Sequence, residues 1–88
     1  MKKYKITVVG LGYVGISNAT LLSQKNDVIA IDLNEERVSL VNQGKSTVDD
    51  RDITDFLSTK IYSLKASLPT NSSYTDSDYV IIATPYKL

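Results

Sequence analysis

The most constraining feature of this chain is a glycine pattern set directly behind an apolar run. Ile6-Thr7-Val8-Val9 reads as a buried parallel strand, and Gly10-Leu11-Gly12-Tyr13-Val14-Gly15 follows at once, opening a helix. The glycines fit G-x-G-x-x-G, in which each has a separate job. Gly10 lets the chain leave the strand sharply, Gly12 leaves the backbone open to a pyrophosphate, and Gly15 lets the helix pack close to the strand. A helix N-terminus adds free N–H groups and the positive end of the macrodipole, and both favour phosphate.

The bare pattern also occurs as a purely structural turn, so its context decides the reading. Two features favour nucleotide binding. The motif sits between a strand and a helix of a βαβ unit. Asp32 closes the next apolar run, Val28-Ile29-Ala30-Ile31, and lies 22 positions after Gly10, where such folds carry an acidic residue for the ribose hydroxyls.

The rest of the chain continues the alternation. The first helix is expected over residues 13–25, with Val14, Ala19, Leu21 and Leu22 as its apolar stripe and Asn26-Asp27 as its stop. Residues 28–31 form the second strand. Asn34 suits an N-cap, Glu35 and Glu36 the first turn, Val38, Leu40 and Val41 the inner face, and Gly44 the left-handed residue beyond the helix. Asp50 can cap a short helix reaching Ser58, with Ile53, Phe56 and Leu57 on its apolar side. A third strand falls at 63–67 and Pro69 interrupts it; Thr70 or Asn71 then opens either a short polar helix or an irregular turn. Residues 79–83 form a fourth strand ending in Thr84-Pro85. This order predicts an α/β Rossmann-type doubly wound parallel sheet, partial at about four strands, in the order 3-2-1-4. A crevice then opens where the order reverses, at the carboxyl ends of the first and fourth strands. The 88 residues form a single domain with one modest core, without repeat, low-complexity segment or linker.

Composition narrows the chemistry. With no Cys and no His, the chain has no disulfide, no thiolate nucleophile, no zinc–thiolate site and no imidazole base. Lys+Arg and Asp+Glu are both 10, so no nucleic-acid surface is expected. No apolar stretch approaches the roughly 20 residues of a membrane span. The basic start Met1-Lys2-Lys3-Tyr4-Lys5 with Ser17-Asn18-Ala19 behind it imitates a secretory signal, but the run holds three motif-spaced glycines, and cleavage would delete the strand that gives Asp32 its meaning. Asn71-Ser72-Ser73 fits a glycosylation sequon, a coincidence in a cytoplasmic protein.

Residues 10–15, Asp32 with Arg37-Val38 behind it, and Val80-Ile81-Ile82-Ala83-Thr84-Pro85 together resemble the N-terminus of the UDP-glucose/GDP-mannose dehydrogenases. Ser17, Leu21-Leu22-Ser23 with Asn26-Asp27-Val28, and Val48-Asp49-Asp50 before Ile53 are most similar to the bacterial branch acting on UDP-glucose. The resemblance covers essentially all of the chain. It implies NAD as cofactor and oxidation of a sugar C6 hydroxymethyl to a carboxylate with two NAD⁺, UDP-glucose giving UDP-glucuronate for polysaccharide synthesis. It implies that Gly10, Gly12, Tyr13, Val14 and Gly15 hold the pyrophosphate, that Asp32 accepts from the adenosine ribose hydroxyls, and that Arg37 reaches the same region. Thr84 and Pro85 would lie along the nicotinamide side. The alternative for Arg37 is a solvated residue paired with Glu36 or Asp32, and for Thr84 a plain strand end.

The family's catalytic cysteine, lysine, asparagine and aspartate, its sugar-nucleotide domain and its dimer-building helix come from segments outside these residues. No catalytic residue and no metal ligand is therefore expected here, and without Cys no thiohemiacetal can form. The resemblance implies an N-terminal NAD-binding half-domain, residues 1–88, of a cytoplasmic enzyme that is homodimeric when complete. Alone it would be inactive and would self-associate through its bare fourth strand. Two other readings stay open: a fragment of a GDP-mannose or UDP-N-acetylamino-sugar dehydrogenase, and a non-catalytic nucleotide-binding module. Tyr86-Lys87-Leu88 fits poorly with what usually follows the Thr-Pro pair, and the gene beyond Leu88 discriminates between enzyme and module.

Overall fold

Seven elements follow one another in the computed structural model, which describes residues 2–70 and 74–84. They are β1 (Lys5–Val9), α1 (Tyr13–Leu22), β2 (Asp27–Ile31), α2 (Glu35–Asn42), α3 (Arg51–Thr59), β3 (Leu64–Ser67) and β4 (Tyr79–Ile82). The strands pair in parallel in the order β3-β2-β1-β4, as the alternation predicts.

Register sets Ile6 beside Val28, Val8 beside both Ala30 and Ile81, and Val28 and Ala30 beside Leu64 and Ala66. Side chains alternate along a strand, so these residues make one continuous apolar face. All three helices pack on it, through Ile16 and Ala19 of α1, Val41 of α2, and Ile53 and Leu57 of α3. The crossovers β1→β2 and β2→β3 step the same way across the sheet, so their right-handedness puts both on one side. The step to β4 runs back the other way and passes over the opposite face, where the Ser77 and Thr7 hydroxyls hydrogen-bond. That face is thinly covered: Ile29, Val80 and Ile82 are 45%, 44% and 73% exposed.

The helix ends follow their local signals. The Asn34 side chain accepts from the Arg37 N–H and that of Asp50 from the Ile53 N–H. Gly44, at φ 76°, takes the left-handed position beyond α2. Lys60 does the same beyond α3 at φ 57°, without the glycine that would announce it. No helix among the described residues is long and apolar enough to cross a membrane.

Several expectations are corrected. Helix α1 stops at Leu22 rather than Lys25, because the Asn26 side chain donates to the Leu22 carbonyl at 3.1 Å while accepting from the Tyr4 N–H at 3.1 Å. Its buried face is Gly15, Ile16, Ala19 and Thr20, whereas Val14 and Leu21 are exposed. The helix is apolar on most sides, so periodicity does not select a face; the contact at Gly15 does. Strands β3 and β4 are each one residue shorter than expected, and α3 extends one residue further, to Thr59. The helix expected from Thr70 or Asn71 falls partly on residues 71–73, outside the described residues, and 74–76 form a turn.

A Cβ on Gly15 would stand 1.7 Å from the Gly10 carbonyl oxygen, whereas one on Gly12 would meet nothing within 4 Å. Both groups at the first contact are backbone, so neither can rotate aside. Gly15→Ala is therefore expected to cost roughly 3 kcal/mol or more in denaturant unfolding, with Gly12→Ala changing stability by less than about 1 kcal/mol.

Candidate nucleotide-binding site

The strand order reverses between β1 and β4, and a cavity of about 340 Å³ opens at their carboxyl ends. Gly10, Gly12, Asp32, Arg37 and Thr84 line it, which brings five of the expected site residues together. Another hollow, of about 230 Å³, lies near the amino ends of β1 and β2 beside Lys5, Asp27 and Asp76, away from the glycine turn.

Gly10 has φ 103°, and its N–H donates to the Ile31 carbonyl at 2.7 Å. A Cβ there would lie 3.1 Å from Thr84 Cγ2 and 3.2 Å from the Ala83 carbonyl, so a bare α-carbon is what lets β1 turn beneath the end of β4. The next residue, Leu11, is fully buried. Its N–H donates to Asp32 Oδ2 at 2.8 Å, and its carbonyl accepts from Thr47 Oγ1 at 2.6 Å. Gly12 then forms the N-cap of α1 with no side-chain cap, so the first amides of that helix are not taken by a capping oxygen.

Asp32 lies just past β2 with its side chain 11% exposed. Oδ1 accepts from the Asn34 N–H at 2.8 Å, and Oδ2 also accepts from Arg37 Nη1 at 3.3 Å. Burial pushes the carboxyl up, but the Asn34 and Leu11 amides and the Arg37 guanidinium together outweigh it and hold its pKa below the ordinary carboxylate value. The carboxylate is thus ionised and oriented in advance. Arg37 is paired with Asp32, as the alternative reading has it, and also lines the cavity.

Tyr13 and Val14 stand apart from this grouping. Both side chains are exposed, neither lines the cavity, and the Tyr13 hydroxyl donates to Asp50 Oδ2 at 3.0 Å, a bond that raises the phenol's pKa. Their main chain opens α1. Gly15 is buried against Gly10. Pro85 lies outside the described residues. Three lining residues escape the sequence reading: Leu33, Pro69 and Tyr74, which add apolar surface of the kind a planar base can lie against. Leu33 could have been found, since it directly follows Asp32. Pro69 and Tyr74 arrive through the path of a loop, for which no local pattern exists.

The family model described as the UDP-glucose/GDP-mannose dehydrogenase family, NAD binding domain, matches residues 4–87. The UDP-glucose 6-dehydrogenase of Streptococcus pneumoniae is 43% identical over 81 residues, covering 92% of this chain and 21% of the relative. That of Campylobacter jejuni is 37% identical over 83 residues, with the same coverage of each. The crystal structure of a ternary complex of GDP-mannose dehydrogenase from Pseudomonas aeruginosa superposes with a TM-score of 0.82 at 30% identity, covering 91% of this chain and 19% of that one. The chain thus spans about a fifth of the length of the curated relatives it matches.

Gly12 has an ordinary φ of −72° and open space where a Cβ would stand. Gly12→Val should fold with nearly unchanged thermal stability while filling the approach to the α1 amides. NAD⁺ affinity, measured by calorimetric titration, should fall by roughly tenfold or more; equal affinity in a folded variant would remove Gly12 from the site.

Proposed function

The chain belongs to the UDP-glucose/GDP-mannose dehydrogenase family, as its NAD-binding domain, and on that premise we propose that it serves an enzyme oxidising UDP-glucose to UDP-glucuronate. The choice of UDP-glucose is supported by the two relatives named for it. The observation that carries the cofactor reading is the cradle itself: an uncapped helix start, an open α-carbon at Gly12, and an ionised Asp32 on the wall of one crevice.

The bound cofactor supplies hydride acceptance. The chain's own residues bind and orient it. The α1 amides and the bare Gly12 take the pyrophosphate, with the positive end of the helix behind them. Asp32 accepts from the adenosine ribose hydroxyls and repels a 2′-phosphate. Arg37 is already held by Asp32, so it is not free to welcome that phosphate. Leu33, Pro69 and Tyr74 flank the adenosine end. Thr84 borders the side of the crevice where β4 ends, on the nicotinamide side. Catalytic groups, the sugar-nucleotide site and homodimer contacts are assigned to the rest of the enzyme. These 88 residues alone, without Cys or His, are proposed to turn over no sugar nucleotide.

Titrating the chain with both cofactors and then adding UDP-glucose tests this reading. NAD⁺ should bind roughly tenfold tighter than NADP⁺ or better, and no NADH absorbance should develop. Tighter NADP⁺ binding would overturn the role of Asp32, and sustained turnover would overturn the placement of the catalytic groups.

We also propose that the isolated chain self-associates. Among the described residues β4 pairs only with β1, its Val80 and Ile82 side chains are exposed, and net charge is zero. Light scattering across a concentration series should show a mass that rises with concentration; a stable monomer throughout would sink the idea.

A further inference from the structure

The glycine turn is held from two directions, and only one hold belongs to the motif. Asp32 takes the Leu11 N–H, which fixes the Gly10–Leu11 peptide plane. The Leu11 carbonyl points to a different element and accepts from the Thr47 hydroxyl at 2.6 Å, across 36 residues of chain. Thr47 sits in the loop between α2 and α3, outside the glycine motif and absent from the cavity lining.

That loop is built to keep the hydroxyl in place. The Ser46 hydroxyl donates to the Val48 carbonyl at 2.7 Å and accepts from the Val48 N–H at 3.1 Å, so the residues on either side of Thr47 are tied to each other. The Asp50 N–H donates to the same carbonyl at 3.0 Å. Asp50 in turn caps α3 and accepts from the Tyr13 hydroxyl. The loop therefore grips the turn on both sides of Gly12, at Leu11 and at Tyr13.

We propose that Thr47 is a positioning residue for the Gly12 amide, which as the N-cap N–H is one of the orphan donors at the start of α1 that would meet the pyrophosphate, an inference that rests on the nucleotide reading above. Leu11 O and Gly12 N–H belong to one planar trans peptide and point in opposite directions. A donor fixed on the carbonyl therefore sets where the N–H aims. The same bond polarises the peptide, because a carbonyl that accepts strengthens its own N–H as a donor. With the Leu11 side chain fully buried, the remaining freedom of this peptide is rotation of its plane, and Thr47 removes it. Thr47 thus acts on the pyrophosphate through Gly12 without touching it.

Thr47→Val keeps the shape and removes the hydroxyl, while Thr47→Ser keeps the hydroxyl. On isotope-labelled chain, the Leu11 carbonyl ¹³C and Gly12 amide ¹⁵N resonances should both move upfield in Thr47→Val and return in Thr47→Ser. NAD⁺ affinity should fall about fivefold in Thr47→Val and recover in Thr47→Ser. Adenosine, which lacks the pyrophosphate, should bind all three proteins within about twofold. Should Thr47→Val fail to fold, Thr47→Ala takes its place in the same measurements. Unchanged NAD⁺ affinity in the variant lacking the hydroxyl, an equal loss for adenosine, or no recovery in Thr47→Ser overturns the proposal alone. A wild-type chain that binds no NAD⁺ overturns the nucleotide reading and this inference with it.

Discussion

One carboxylate organises this molecule. Asp32 reaches from the end of β2 to the Leu11 N–H in the turn after β1, so the two central strands are joined at their ends as well as along their ladder. Covering a carboxylate is costly unless donors replace the lost water. Each hydrogen bond to a charged group contributes about 1.5–3 kcal/mol, and amides from Leu11 and Asn34 together with the Arg37 guanidinium keep a mostly covered carboxylate ionised. The same atoms that close the fold therefore prepare the group that faces the crevice.

Much of the architecture was legible because it follows from rules that act over a few residues. Alternating apolar runs and helix caps at Asn34 and Asp50 imply parallel strands, and right-handed crossovers with a reversal imply the order found. The crevice residues Gly10, Gly12, Asp32, Arg37 and Thr84 were legible for the same reason: each sits at a strand end or helix start whose position the pattern sets. What stayed hidden depends on contacts distant in sequence. The inner face of α1 is not legible from periodicity because Val14, Ile16, Leu21 and Leu22 offer apolar surface in several directions, and only the meeting of Gly15 with Gly10 chooses among them. Thr47 and Tyr74 carry no local mark of their roles, since each acquires one through the path of a loop. The left-handed Lys60 is likewise invisible, being set by how α3 meets β3 rather than by residue type.

The unequal dressing of the sheet also has a simple origin. Two crossovers of the same sense fill one side with α1, α2 and α3, and among the described residues the single reversed connection brings no helix to the other. Thr7 is buried there beneath Ser77, while Ile29, Val80 and Ile82 stay open. The reversal that opens the crevice is therefore also what first carries the chain onto that face.

Two glycines of the motif are glycines for opposite reasons. Gly15 has a carbonyl where its side chain would go, and Gly12 has nothing there at all. Selection for a soluble, folded chain would thus police the first position and be blind to the second. A descendant that stopped using its ligand would be free to drift at Gly12 long before it could drift at Gly15. On the proposed role of Gly12, a relative that had lost glycine there but kept the later one would mark a fold that outlasted its ligand.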